Sequence, residues 1–291
     1  MTRAQALKKA VQDLQRAGLA PALAVREAGD LLAHAIGLRR SDLYWEPDLA
    51  LSAGEEEAFQ GYVARRMAGE PLQYILGQWE FMGLTFAVDR RVLIPRPETE
   101  GLVMAVLQFL ADWPGFPLVI DVGTGSGAIA VSLAVAHPQC RVLATDISGE
   151  ALLVAKANAR RHSVADRIEF RQGDLVMGSV PAAVVVANLP YVAAGDFQGL
   201  DPTVRDYEPA VALLGGERGT EVMERLIAIA PSGLAAEGLL ALEVGEGQAA
   251  EIQAACLATG AFRDVAIRQD LAGRERIVLA YRTGEGACTR K

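Results

Sequence analysis

The chain has 291 residues, enough for two domains that each bury a core, and shares of 51% hydrophobic and 22% charged residues exclude a disordered, collagen-like or charge-dominated polymer. Lys and Arg number 28 against 36 Asp and Glu, and the net charge of −8 disfavours tight non-specific binding to duplex nucleic acid. Cys140, Cys256 and Cys288 form no CxxC pair, and His34, His137 and His162 lack ligand spacing, so neither a disulfide framework nor a bound metal is expected.

The start, MTRAQALKKAVQDL, lacks the apolar stretch of a signal peptide, and no apolar run is long enough for a bilayer. A cytoplasmic protein with no membrane partner is expected. Leu7, Val11 and Leu14, then Leu31, Leu32, Ile36 and Leu43, recur at helical spacing between Gly18, Pro21, Gly37 and Pro47, which predicts a small helical domain over 1–84. From residue 72 the texture turns aromatic and β-branched (LQYILGQWEFMGLTFAVDRRVLIP), as in a hairpin joining two domains, and the linker is expected at 85–95. Trp45 and Trp79 read as core or interface aromatics. After Pro114, short apolar runs alternate with helical stretches: PLVIDVG, a helix through Ala128–Ala136, RVLATD, a helix through Ala151–Arg161, RIEFRQGD and AAVVVANLPY. Such alternation predicts an α/β domain over 96–282, with a largely parallel sheet between helices and ligands at the carboxyl ends of its strands. Residues 283–291 are expected to fray.

Three strand ends carry candidate binding chemistry. Gly123, Thr124, Gly125, Ser126 and Gly127 lie between an apolar strand and a helix, where glycines let the backbone approach a ligand and the helix N-terminus offers free N–H groups. The spacing is GxGxG; it lacks the offset of the dinucleotide fingerprint, and no GK[ST] follows. Asp146 ends the next strand, where a carboxylate can accept both hydroxyls of a ribose; it could instead cap the following helix, but Ser148 is available for that. Asp174, in QGDL, stands where a carboxylate meets an adenine amino group, with Leu175 beside the ring.

The fourth strand ends in Asn188-Leu189-Pro190-Tyr191. An amide or exocyclic amine is a poor nucleophile because its lone pair is delocalised. If the Asn188 side-chain oxygen and a main-chain carbonyl at 188 or 189 accept its two N–H bonds, the lone pair can be aimed at an electrophilic methyl. Pro190 would fix that backbone and Tyr191 would pack on the planar group.

The order of glycine loop, strand-end acid, GD and NLPY resembles the S-adenosylmethionine-dependent amino-methyltransferases. The segments RMAGEPLQYILGQWEFMGL (66–84), IPRPETE (94–100), DYEPAVALLGGERG (206–219) and LEVGEGQ (242–248) resemble one branch, the peptide chain release factor glutamine methyltransferases of the HemK type. The resemblance implies a helical N-terminal domain that docks the release factor, a hairpin linker and a Rossmann-like seven-stranded methyltransferase domain. It also implies methyl transfer from S-adenosylmethionine to the glutamine side chain of the Gly-Gly-Gln loop in class 1 release factors. Gly123–Gly127 would hold the methionine and ribose portions, Asp146 the ribose, Asp174 and Leu175 the adenine, and Asn188 to Tyr191 the substrate amide, with Asn188 also beside the cofactor. Glu98 and Glu100 would organise the segment beside the cofactor and Glu208 would brace the site.

One residue departs from the branch, which usually has Asn-Pro-Pro-Tyr: Leu189 stands where the first proline is expected. NLPY also occurs in ribosomal RNA adenine dimethylases, but these match only the cofactor and amine motifs, carry their extra domain after the catalytic one, and leave IPRPETE unexplained. A third reading is a non-catalytic nucleotide-binding module of the same fold.

Overall fold

The computed structural model describes residues 1–284. Cys288 and most of the predicted 283–291 tail lie outside the described residues; at its start, the Thr283 N–H donates to Ala261 O at 2.9 Å. The chain divides into two compact units, Met1–Gln78 with Asp201–Tyr207, and Trp79–Leu200 with the chain from Glu208 onward.

The first unit contains helices α1 (Arg3–Arg16), α2 (Pro21–Ile36), α3 (Ala53–Met67) and α4 (Leu72–Leu76). Their ends follow local chemistry. Thr2 with Gln5 and Ser52 with Glu55 form capping boxes, Pro21 opens α2, and Gly37 closes it with a left-handed φ of 67°. Leu14, Leu31, Leu32, Leu43 and Phe59 make the core. Inside it Arg66 and Glu27 pair at 2.6 Å, each charge satisfied where water is excluded. Trp45, expected in a core or at an interface, is not in the core: it is 83% exposed, because the short turn that ends at Tyr44 buries only Leu43.

The second unit opens with a hairpin, β1 (Gln78–Phe81) and β2 (Leu84–Ala87), seven residues ahead of the 85–95 expected for a linker. The hairpin lies between the helical domain and the sheet domain as expected, and Phe81 and Phe86 are buried edge to face in the second unit's core, so its aromatic texture also reflects packing. Helix α5 (Pro97–Leu110) follows, then β3 (Leu118–Val122), α6 (Ala128–Ala136), β4 (Arg141–Asp146), α7 (Gly149–Arg161), β5 (Ile168–Gln172), β6 (Ala182–Ala187), β7 (Val192–Ala193), α8 (Pro202–Arg205), β8 (Leu214–Gly216), α9 (Glu221–Gly233), β9 (Leu234–Glu243), α10 (Ala249–Ala258), β10 (Phe262–Gln269) and β11 (Glu275–Arg282). Of these, α8 belongs to the first unit.

Seven strands form one sheet in the order β10-β11-β9-β6-β3-β4-β5, in which β9, β6, β3, β4 and β5 run parallel and β11 is antiparallel to both neighbours. The central strands are buried on both faces, as their unbroken apolar runs require. Val119, Val184, Val186 and Ala241 pack against α5 and α6, while Ile120, Val185, Ala187 and Leu242 pack against α9 and α10. The chain moves outward from β3 to β4 and β5, then returns to place β6 on the other side of β3. The loops after β3 and β6 therefore part at the topological switch point, where open α/β sheets bind ligands.

Candidate active site

The carboxyl ends of β3, β4, β5 and β6 open into a cleft of about 270 Å³ contained within the second unit. The glycine loop forms its floor. Gly123 and Thr124 both donate their N–H to Thr145 O at 2.9 Å, which ties the loop to β4. Gly123, Gly125 and Gly127 all have left-handed φ, at 75°, 54° and 80°, so L side chains there would be strained. The glycines differ in use. A Cβ on Gly123 would come within 2.9 Å of Leu189 Cδ2, and one on Gly125 would meet nothing within 4 Å; a Cβ on Gly127 would press on Ala155 of α7 at 3.1 Å. Gly123, Thr124, Gly125 and Ser126 line the cleft, whereas Gly127 does not and serves the packing of α6 on α7.

Asp146 lines the cleft with both carboxylate oxygens anchored, Oδ2 by the Gly125 N–H and Oδ1 by the Ser148 N–H, each at 2.8 Å. Burial raises its carboxyl above the ordinary range, and the backbone bonds oppose the rise. Ser148 itself caps α7 by accepting the Ala151 N–H, so the capping alternative for Asp146 falls away. Asp174 and Leu175 line the same wall; Leu175 is buried with a φ of 49°, and Asp174 pairs with Arg225 of α9 at 2.5 Å. Nothing local in the sequence marks that partner, which lies 51 residues away.

Asn188, Leu189 and Pro190 line the cleft. The Asn188 Nδ2 donates to Thr99 Oγ1 at 3.0 Å. Leu189 is only 4% exposed and joins the core beneath the α9 face. Tyr191 is not among the residues lining the cleft; its carbonyl accepts from Gln248 Nε2 at 2.9 Å, and its ring packs on the same core beside Gly245. The glycines of LLGGERG explain themselves here, because a Cβ on Gly215 would overlap Pro190 O and one on Gly219 would overlap Tyr191 O.

The IPRPETE segment reaches the cleft through Pro95, Arg96 and Thr99, not through its two glutamates. Glu100 instead accepts the Met82 N–H at 2.7 Å in the hairpin turn, and Glu98 is exposed. Glu208 is buried and accepts from Ile94 N at 3.2 Å and Arg96 Nη2 at 2.5 Å, bracing the segment as expected. Sequence reasoning passed over Thr99, Arg96, Arg225 and Glu243. Two buried acids near the loops are unusual: Asp121 and Glu243 are each pushed by burial up to about 7, and each leaves one oxygen without a hydrogen-bond partner. Asp121 Oδ2 accepts from Thr124 Oγ1 at 2.6 Å and from the Ala130 N–H at 3.2 Å. Among the described residues no group of three or more His, Cys, Asp or Glu could hold a metal ion, and no helix is long and apolar enough to cross a membrane.

Comparison with known proteins places this geometry. Residues 5–77 match the family described as the PrmC N-terminal domain, and residues 74–189 match the O-methyltransferase domain. A release factor glutamine methyltransferase of Moorella thermoacetica is 42% identical over 98% of this chain and 100% of its own length. The chain belongs to the release factor glutamine methyltransferase family. Another of these methyltransferases, from Nitratidesulfovibrio vulgaris, is 40% identical over 87% of this chain and 86% of its own. A solved methyltransferase from Pyrococcus furiosus shares the fold at 17% identity, with a TM-score of 0.51 over 77% of this chain and 99% of its own.

Methyltransferase family membership implies S-adenosylmethionine as the methyl donor. The cleft of this methyltransferase fits that group: open space above Gly125, an anchored carboxylate at Asp146, and apolar walls from Ile147, Leu175 and Val222. The likeness to an O-methyltransferase domain concerns the fold and does not identify the acceptor atom; the residues after β6 bear on that.

Proposed function

We propose that this protein transfers a methyl group from S-adenosylmethionine to the side-chain amide nitrogen of the glutamine in the Gly-Gly-Gln loop of class 1 release factors. When bound, S-adenosylmethionine supplies a methyl carried on a sulfonium, whose leaving group is a neutral thioether, so the displacement calls for no metal. Gly123, Thr124, Gly125 and Ser126 hold the methionine and ribose portions, Gly127 sets the helix behind them, Asp146 accepts the ribose hydroxyls, and Asp174 with Leu175 faces the adenine. The helical unit docks the release factor, which acts in translation, so the reading places the enzyme in the cytoplasm. No tight direct binding of nucleic acid is part of this reading.

The observation that carries the proposal is the state of Asn188 at the cleft. Its Nδ2 is engaged by Thr99, which leaves Oδ1 as an acceptor. With a main-chain carbonyl at 188 or 189, it holds both N–H groups of the substrate amide and aims the nitrogen lone pair at the methyl; the methyl–sulfur bond breaks as the methyl–nitrogen bond forms, and the methylated amide sheds one N–H proton to solvent. Pro190 limits the backbone that carries those acceptors. Catalysis is then positioning plus lone-pair activation.

Purified release factor and labelled S-adenosylmethionine test the reading. Label is expected on the glutamine alone, and Asn188→Ala is expected to lower kcat by roughly 10²–10³ while cofactor Kd changes by only about two- to threefold. Label on ribosomal RNA alone, or cofactor binding without methyl incorporation, would overturn it.

A further inference from the structure

Asn188 and Glu243 stand level at the carboxyl ends of neighbouring parallel strands. Ala187 of β6 is in register with Leu242 of β9, and the next residue of each strand follows the alternation of Val186 and Ala241 toward α5. The first turn of α5 presents Thr99 there, 4% exposed, and Glu243 is 2% exposed. The Thr99 hydroxyl accepts from Asn188 Nδ2 at 3.0 Å, which leaves its own proton free to donate; both side chains hold the nearby Glu243 carboxyl down, and Glu243 Oε2 is buried with no hydrogen-bond partner.

An asparagine amide can present either its oxygen or its NH2 to a ligand, and only the oxygen can accept a substrate N–H. A carboxylate has no proton to give. When it takes the Thr99 O–H, the Thr99 oxygen is left to accept, and the group of Asn188 that turns toward Thr99 must be its NH2. We infer that Glu243, acting with Thr99, is a positioning residue that locks the Asn188 amide with its carbonyl oxygen toward the substrate nitrogen. The inference rests on the reading of Asn188 as the amide acceptor and extends it to the pair behind that residue.

The lock depends on ionisation. Burial, opposed by Thr99, Asn188 and Arg276 of β11 and reinforced by Glu98 of α5, holds the Glu243 carboxyl near 7; the Tyr191 hydroxyl faces the same group, and Arg276 is shared with Glu246 and Asp270. Below that pH Glu243 carries a proton and can donate, so either orientation of the amide is satisfied. Above it, only one orientation is satisfied.

The intact enzyme, Glu243→Gln, Thr99→Val and Thr99→Ser are to be compared in kcat, KM for release factor, cofactor Kd by calorimetry, and melting temperature, across about pH 6–8. The wild-type kcat is expected to rise through the neutral range. Glu243→Gln is expected to lose that rise, to fall about tenfold or more in kcat at the alkaline end, and to converge on wild type at the acid end, with KM and Kd within about twofold. Thr99→Val is expected to behave similarly and Thr99→Ser to keep most of the turnover, which a purely structural role for the threonine methyl would not produce. If Glu243→Gln and Thr99→Val retain both the wild-type kcat and its pH dependence, the inference is wrong. If Glu243→Gln does not fold, the Thr99 pair decides. Normal turnover in Asn188→Ala would instead remove the acceptor reading itself, so the two failures are distinguishable.

Discussion

Gly123 lies directly beneath Leu189: a single added carbon on the glycine would come within 2.9 Å of the leucine Cδ2. The contact joins the loops that leave β3 and β6 and closes the floor of the cleft from below. Gly123→Ala meets both that contact and a φ of 75°, so it should cost about 1–3 kcal/mol of stability and weaken cofactor binding on the order of tenfold. Thermal denaturation and calorimetry read the two effects; an unchanged melting temperature and affinity would show that the loop tolerates a side chain here.

Position 189 separates packing from chemistry. The leucine side chain is buried in the core below the cleft, so Leu189→Ala should lose about 2–5 kcal/mol of stability. Leu189→Pro fills part of the same space and keeps the carbonyl, and its turnover should stay within about threefold of wild type. Loss of most turnover in a folded Leu189→Pro enzyme would mean that the leucine N–H or side chain acts on substrate.

Asp146→Ala removes a carboxylate that anchors the Gly125 and Ser148 N–H groups as well as facing the cleft. Cofactor affinity should fall by about 1.5–3 kcal/mol, the worth of a hydrogen bond to a charged group, and turnover at saturating cofactor should suffer less. Calorimetry showing unchanged affinity would take Asp146 out of the site.

Asp121 should make stability fall as pH rises. Its folded carboxyl keeps a proton up to about 7, against an ordinary value of 3.8. Between those values the folded state binds more protons than the unfolded state, so unfolding free energy declines with increasing pH across that window, by an upper bound on the order of 4 kcal/mol. Asp121→Asn keeps an oxygen for Thr124 and Ala130 and should flatten the dependence, which melting temperatures measured across the window would show.

Every residue lining the cleft belongs to the second unit. Deleting residues 1–78 should therefore leave cofactor affinity within about threefold while abolishing the preference for intact release factor over a short Gly-Gly-Gln peptide. Full efficiency of the truncated enzyme on intact release factor would remove the docking role from the helical unit.

Local sequence determined the helical unit, the α/β unit and the strand-end placement of the glycine loop, Asp146 and Asn188, because periodicity, caps and left-handed glycines act over a few residues. Tertiary structure alone decided what those loops meet. The 78–87 hairpin packs its aromatics into the second unit, Gly127 serves helix packing, and the Tyr191 ring packs against the core below the α9 face. The partners that matter most are also far apart in the chain: Thr99 lies 89 residues before Asn188, and Arg225 lies 51 after Asp174. Glu243 reaches Asn188 only because β9 pairs with β6 in a register that sets the two level. Strand register and helix docking are properties of the assembled sheet, which no short window of residues encodes.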